Sequence, residues 1–160
     1  MSRKGPTKIR TPQADPIYNS IMVSKITNAA LMDGKKNAAQ KQIYSALEIL
    51  KKDTGSEDVM ITLEQAFDNI KPKVEIRPRR IGGAVYQVPT PVRGHRQNSL
   101  AIRWLITAAR AKSNKQFHSF GEKLADEIKL ALKNEGAAVA KRVEVERMAE
   151  ANKAFAHLRW

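Results

Sequence analysis

With 160 residues, 42% hydrophobic and 28% charged, the chain is long enough for one folded domain with a sizeable core, and it needs no metal or disulfide to hold it. It has no cysteine, which excludes disulfides, thiol nucleophiles and thiolate metal sites, and no stretch long and apolar enough to cross a membrane. The formal net charge of +13, from 29 Lys and Arg against 16 Asp and Glu, therefore sits on a folded body and points to a polyanionic partner.

Residues 1–14 carry Arg3, Lys4, Lys8 and Arg10 and no acid. They lack the apolar run of a secretory signal, and Gly5, Pro6 and Pro12 interrupt any amphipathic transit helix. They read as a flexible basic arm that stays on the mature protein and orders on a partner. Residues 15–160 read as a single helical domain. Asp15-Pro16 looks like an N-cap with proline in the first turn, opening a helix over much of 16–32 that Asp33-Gly34 stops. Lys35 to about Lys52 forms a second helix with a stripe of Ala39, Ile43, Ala46, Leu47 and Leu50. Ser56, Glu57 and Asp58 begin a third, which Lys71-Pro72 ends.

From about 73 to 91 the period changes to two, with Val74 and Ile76, then Val85, Tyr86 and Val88, flanking Gly82-Gly83. That is a β-hairpin pattern with its turn over Arg79–Gly83. A glycine-hinged stretch, Arg93-Gly94-His95-Arg96, leads into a helix from about Gln97 to Ala111, and two more helices follow near 119–134 and 137–151. The fold class is mainly α: six helices in a bundle, with one protruding β-hairpin between the third and fourth.

The 46 residues from Ile76 to Gly121 contain no aspartate or glutamate, yet carry seven arginines and two lysines. Solvated faces normally mix both signs. An acid-free surface built from Arg77, Arg79, Arg80, Arg93, Arg96, Arg103, Arg110, Lys112 and Lys115 suits nucleic-acid phosphates, because each neutralised phosphate releases condensed counterions. Arg96, Arg103 and Arg110 are spaced by seven, which drifts only about 20° around a helix, and so predict one ridge. The alternatives are arginines paired with acids such as Glu64, Glu122 or Glu127, and a hairpin whose charges protect an exposed edge.

Other functions are less well carried. The histidines His95, His118 and His157 are scattered and no HExxH motif exists, so an acid–base ribonuclease would have to rest on His95 with His118. Basic helices in a bundle also fit a DNA regulator. No phosphate loop or dinucleotide fingerprint is present, and no cofactor is expected.

The run Lys71-Pro72 through Arg77-Pro78-Arg79-Arg80-Ile81-Gly82-Gly83-Ala84 is one of four motifs in order. Tyr86-Gln87-Val88-Pro89, Leu100-Ala101-Ile102-Arg103-Trp104-Leu105 and Arg147–His157 with Arg159-Trp160 are the others. Together they closely resemble the family of ribosomal protein seven of the small subunit, over nearly the whole chain. The resemblance implies a six-helix bundle with a protruding hairpin, and a non-enzymatic constituent of the ribosome, in the cytoplasm or in an organelle. It implies a primary binder of the 3′ major domain of small-subunit ribosomal RNA that nucleates head assembly. Its hairpin would lie by the exit site, near messenger RNA and transfer RNA, with small-subunit ribosomal proteins nine and eleven as neighbours. By resemblance, Arg77, Arg79, Arg80, Gly82 and Gly83 map to the hairpin end. The ribosomal-RNA-facing set comprises Arg3, Lys4, Arg10, Lys35, Lys36, Arg93, Arg96, Arg103, Arg110, Lys112, Lys115, Lys141 and Arg142. Pro91, Gly94, Ala140 and Val143 depart from the usual family pattern.

Overall fold

The structure, a computed structural model, describes residues 11–55 and 58–159. The expectations for Arg3, Lys4, Lys8, Arg10, Ser56, Glu57 and Trp160 lie outside the described residues. Among the described residues six α-helices run in the order α1 (Ile21–Ala30), α2 (Lys36–Thr54), α3 (Val59–Ile70), α4 (Gly94–Ala111), α5 (Phe120–Leu132) and α6 (Ala137–Ala151). Strands β1 (Val74–Ile81) and β2 (Ala84–Pro91) form an antiparallel hairpin between α3 and α4, and a short 3-10 helix covers Lys153–Leu158. The bundle with one hairpin after the third helix is the architecture that the periodicities predict.

Local chemistry sets the boundaries. Asp58 Oδ1 accepts the Met60 N–H at 2.9 Å to start α3, and Gly55, in a left-handed conformation (φ 61°), closes α2. At the start of α5, Ser119 Oγ accepts the Glu122 N–H while Glu122 Oε2 accepts the His118 N–H; hydrogen bonds to the carboxylate, first from the His118 N–H and then from Ser119, hold it below its ordinary pKa. Buried Val23 and Ile26, Ile43 and Leu47, Leu63 and Phe67, Leu105, Leu124 and Ile128 join α1 to α5 in one apolar cluster, which Ala138 and Val139 extend to α6. The α5 helix packs tightly on α2 because its second residue is Gly121, where an added Cβ would come within 2.9 Å of the Gln42 carbonyl.

Three boundaries differ from the sequence reading. The first helix starts at Ile21, not Pro16, because Asn19 takes a left-handed conformation (φ 46°) and breaks the chain before it. Asp15 does cap, but it caps a turn: its Oδ2 accepts the N–H groups of Ile17 and Tyr18, and Ser20 is the residue that caps the helix, accepting the Met22 N–H. Gly94 is no hinge. It belongs to the first turn of α4, where the Arg96 and Gln97 N–H groups both bond to the Arg93 carbonyl. The hairpin turn is also tighter than expected. Ile81 pairs with Ala84, so Gly82 and Gly83 alone make it, both with positive φ (56° and 91°), the two-residue type I′ geometry that glycine adopts without steric cost.

The α4, α5 and α6 helices meet at a buried acid. Glu127 is 1% exposed; its Oε1 accepts the Ala138 N–H at 2.9 Å, and its Oε2 lies 2.9 Å from Lys112 Nζ as an ion pair. Lys112 also reaches Asp126 at 2.6 Å. Truncating Glu127 would leave a largely buried ammonium short of a partner and strand a helix N–H. Glu127→Ala is therefore expected to lose about 3 kcal/mol of stability, read as a lower urea midpoint at unchanged slope; a loss below about 1 kcal/mol would contradict this junction role.

Candidate nucleic-acid interface

The hairpin is fixed at its root by one carboxylate. Glu75 sits near the start of β1 and is 6% exposed. Its oxygens accept from Arg77 Nε at 2.7 Å and from Arg96 Nε at 2.7 and 2.9 Å, so it holds one arginine on its own strand and one in the first turn of α4. Burial raises the Glu75 pKa, but the hydrogen bonds and charges of Arg96 and Arg77 outweigh it, and the net shift is downward. Two further contacts brace the hairpin. The Lys73 N–H donates to Glu146 Oε1 on α6 at 3.1 Å, and the Tyr86 ring packs on Phe155 of the 3-10 helix with centroids 5.4 Å apart.

Beyond that root the tip is open: Arg80, Gly82, Gly83, Ala84 and Val85 are exposed. The strand pleat sends Arg77 and Arg79 to one side and Arg80 to the other. The arginine cluster of the sequence is therefore two-sided, with Arg79 half-buried and Arg77 shared with Glu75.

A cleft of about 480 Å³ separates α1 from α4. Arg103 and Arg110 line it from α4 and Lys25 faces them from α1, with His95, Asn28, Asn98, Ser99 and Thr107 completing its polar lining. Arg110 Nη2 donates to the Ala30 carbonyl at 3.1 Å, placing a cation at the electronegative C-terminus of α1 and tying the two walls together. Arg103 is exposed and pairs with no described residue. Arg96 does not join them. It turns to Glu75, so the seven-residue spacing yields two cleft arginines and one structural one. The pairing alternative holds for Arg96, with an acid on a strand instead of a neighbouring helix.

The remaining predicted cations divide by partner. Lys35 and Lys36 stand exposed at the start of α2, Lys35 loosely paired with Asp33 at 3.8 Å, and Arg93 is exposed where α4 begins. Lys115 is exposed in the loop before α5. Lys112 points inward to Asp126 and Glu127. On α6, Lys141 pairs with Glu144 at 2.8 Å, and half-buried Arg142 lies 3.8 Å from Glu146. The sequence reading missed Lys25, Asn28 and Asn98. The available signal was Lys25, the sole charge of α1, with Asn28 one turn on.

A histidine pair for acid–base cleavage is not assembled. His95 opens α4, whereas Lys123 Nζ bonds to the Lys112 carbonyl and so holds the start of α5, with His118 just before it, at the other end of α4. Roughly 25 Å of helix lies between. Among the described residues no cluster of His, Asp or Glu is placed to hold a metal, and no helix is long and apolar enough to cross a membrane.

The family model described as ribosomal protein S7p/S5e matches residues 2–153. The chain is 51% identical over 160 residues to small ribosomal subunit protein uS7 of Oleidesulfovibrio alaskensis, covering all of both chains. It is 49% identical, again over the full length of both, to that of Sulfurihydrogenibium sp., and 48% identical over 158 residues to that of Thermosipho africanus, covering 99% of each.

The Glu75 linkage gives a pH dependence with a definite sign. A carboxyl whose folded pKa lies below its ordinary value of 4.5 contributes stability that is full above that value and is lost as the pH falls through the lower folded one. Because both arginines are half exposed, Glu75→Gln is expected to cost only about 1–2 kcal/mol at pH 7. The gap between variant and parent unfolding free energies should close as the pH is lowered from 6 to 3. A gap constant across that range would remove the ionised carboxylate from the account.

Proposed function

Because the chain belongs to the ribosomal protein S7p/S5e family, we propose that its α1–α4 cleft grips small-subunit ribosomal RNA. The protein is a structural, non-enzymatic constituent of the small subunit of the cytoplasmic ribosome. The observation that carries the RNA face is the cleft itself: Lys25, Arg103 and Arg110 converge on it without an acid among its lining residues, while Arg96 and Lys112 nearby are consumed by carboxylates. Cations that are not internally neutralised supply the counterion-release energy of phosphate binding.

The RNA is read as the 3′ major domain, and docking there as the step that starts head assembly. The hairpin reaches toward the exit site, where its tip meets messenger RNA and transfer RNA, and proteins nine and eleven are its neighbours. The braced root and open tip support that part of the reading, since a rigid base with an exposed, glycine-turned end suits a probe held at a fixed angle. The basic arm at 1–14, whose residues 12–14 already pack beside α1, meets the same RNA, and 15–160 acts as one domain.

Filter binding to an isolated 3′ major domain tests the cleft. Replacing Lys25, Arg103 and Arg110 with alanine should weaken binding and flatten the slope of log K against log salt by about two to three, close to one per lost phosphate contact; an unchanged slope would refute the cleft as the RNA face. Substituting Arg80 at the hairpin tip should leave that binding within about twofold, yet reduce crosslinking of exit-site transfer RNA to reconstituted subunits. Undiminished crosslinking would count against the tip assignment.

A further inference from the structure

A second cleft, of about 350 Å³, lies between the segment from Pro12 to Pro16 and the facing sides of α1 and α2. It shares Asn28 with the α1–α4 cleft, so the two are contiguous on the surface. Its volume falls within the range of small-molecule pockets, roughly 300–1,000 Å³. Thr27, on its wall, is 1% exposed and its hydroxyl has no hydrogen-bond partner. The side-chain amides of Asn28 and Gln40, also on the wall, make no hydrogen bond to a described residue. A buried hydroxyl without a partner is costly, and together with the two amides at the same opening, Asn28 exposed and Gln40 half-buried, it is arranged to meet a neutral polar ligand.

Charge decides which ligand. The buried Asp15 carboxylate also lines the cleft. It already accepts from Tyr44 Oη at 2.8 Å and from the Ile17 and Tyr18 N–H groups, which hold it in place, while burial and this carboxylate push the Tyr44 hydroxyl pKa up to about 12. A phosphate in the interior would face that negative charge. Lys36, the cation of this lining, is exposed, where a phosphate outside the opening would find it. Neutral donors and acceptors beside a carboxylate inside, with a cation outside, describe a nucleoside site and not an anion site. Of the roughly four lone pairs a carboxylate offers, three are taken, and the single one remaining suits adenine or cytosine, which present one amino group on that edge, over guanine, whose adjacent N1–H and amino group would need two acceptors.

We propose that this cleft receives one unstacked adenosine or cytidine of the RNA whose backbone runs along the α1–α4 cleft. The proposal rests on that reading of the neighbouring cleft. Sequence-dependent RNA recognition takes this form, with splayed bases hydrogen-bonded on their edges. Thr27 would donate to or accept from the base or ribose, Asn28 and Gln40 would flank it, and Asp15 would accept from the exocyclic amine.

The test uses the full chain with the isolated 3′ major domain, probed by dimethyl sulfate at unpaired adenines and cytosines and by hydroxyl radicals along the backbone. Thr27→Val keeps the side-chain shape and removes a hydroxyl that has no partner in the protein, so its unfolding midpoint should hold or rise. Its RNA affinity should nevertheless fall about fivefold, and one adenine or cytosine protected by the parent protein should become reactive, as it should with Gln40→Ala. Hydroxyl-radical protection should persist in both variants. If base protections and affinity are the same in parent and variants while the backbone footprint persists, the nucleoside site is wrong and the cleft reading stands. If Lys25→Ala with Arg103→Ala leaves footprint and affinity intact, the cleft reading fails and the nucleoside site with it.

Discussion

The direction of the hairpin depends on one carboxylate. Glu75 is the last acid before 46 residues that contain none, so the arginines at both ends of that hairpin-to-helix passage have one nearby acid to share. Desolvating a carboxylate is expensive, and two guanidinium groups at 2.7 Å offset the cost. What results is an angle: β1 and the first turn of α4 are held by the same two oxygens. Glu146 on α6 and Phe155 on the 3-10 helix repeat the attachment with different chemistry, so the root is held by charge, by a backbone hydrogen bond and by ring packing at once.

The same economy of acids runs through α4 and its C-terminal cap. Arg96 is tied at the N-terminal end and Lys112 is drawn inward just past the C-terminal end by Asp126 and Glu127, leaving Arg103 and Arg110 on the middle and last turn to face α1. A protein of net charge +13 repels itself, and its few buried acids are placed at junctions between elements. Glu75 joins hairpin to α4, Glu127 joins α4, α5 and α6, and Asp15 joins the entering segment to Tyr44 of α2. Neutralisation is concentrated where it fastens the framework, and surplus positive charge is left on the open face.

Much of this was legible in the chain. The helical stripes of α2 and α3, the change of period at Val74 and the glycine pair gave the architecture, because each is a local pattern that tertiary packing did not override. Asp15-Pro16 misled because an aspartate satisfies the N–H groups of a turn as readily as those of a helix, and Asn19 alone separates the two outcomes. Gly94 read as a hinge because glycine permits one, yet nothing in its surroundings asks for positive φ. The seven-residue ridge failed for a different reason. Spacing fixes which side of α4 an arginine takes, but the partner of Arg96 is a residue 21 positions away, and no periodicity encodes that. Lys25 was missed because a single lysine acquires meaning only when α4 is laid opposite α1.

Arg110 shows how the cleft reconciles holding its shape with holding a ligand. A guanidinium has five N–H donors in a rigid plane, and one of them is spent on the Ala30 carbonyl at the end of α1. The others remain available to a phosphate without surrendering that bond, whereas a lysine ammonium, flexible and strongly hydrated, would be pulled toward whichever anion was stronger. In the proposed RNA cleft the residue that joins the two walls is thus also placed to meet a backbone between them, where phosphate binding would reinforce the α1–α4 geometry. The neighbouring Asp15 pocket, walled by the same α1, would then be presented to the RNA at a fixed offset from its backbone.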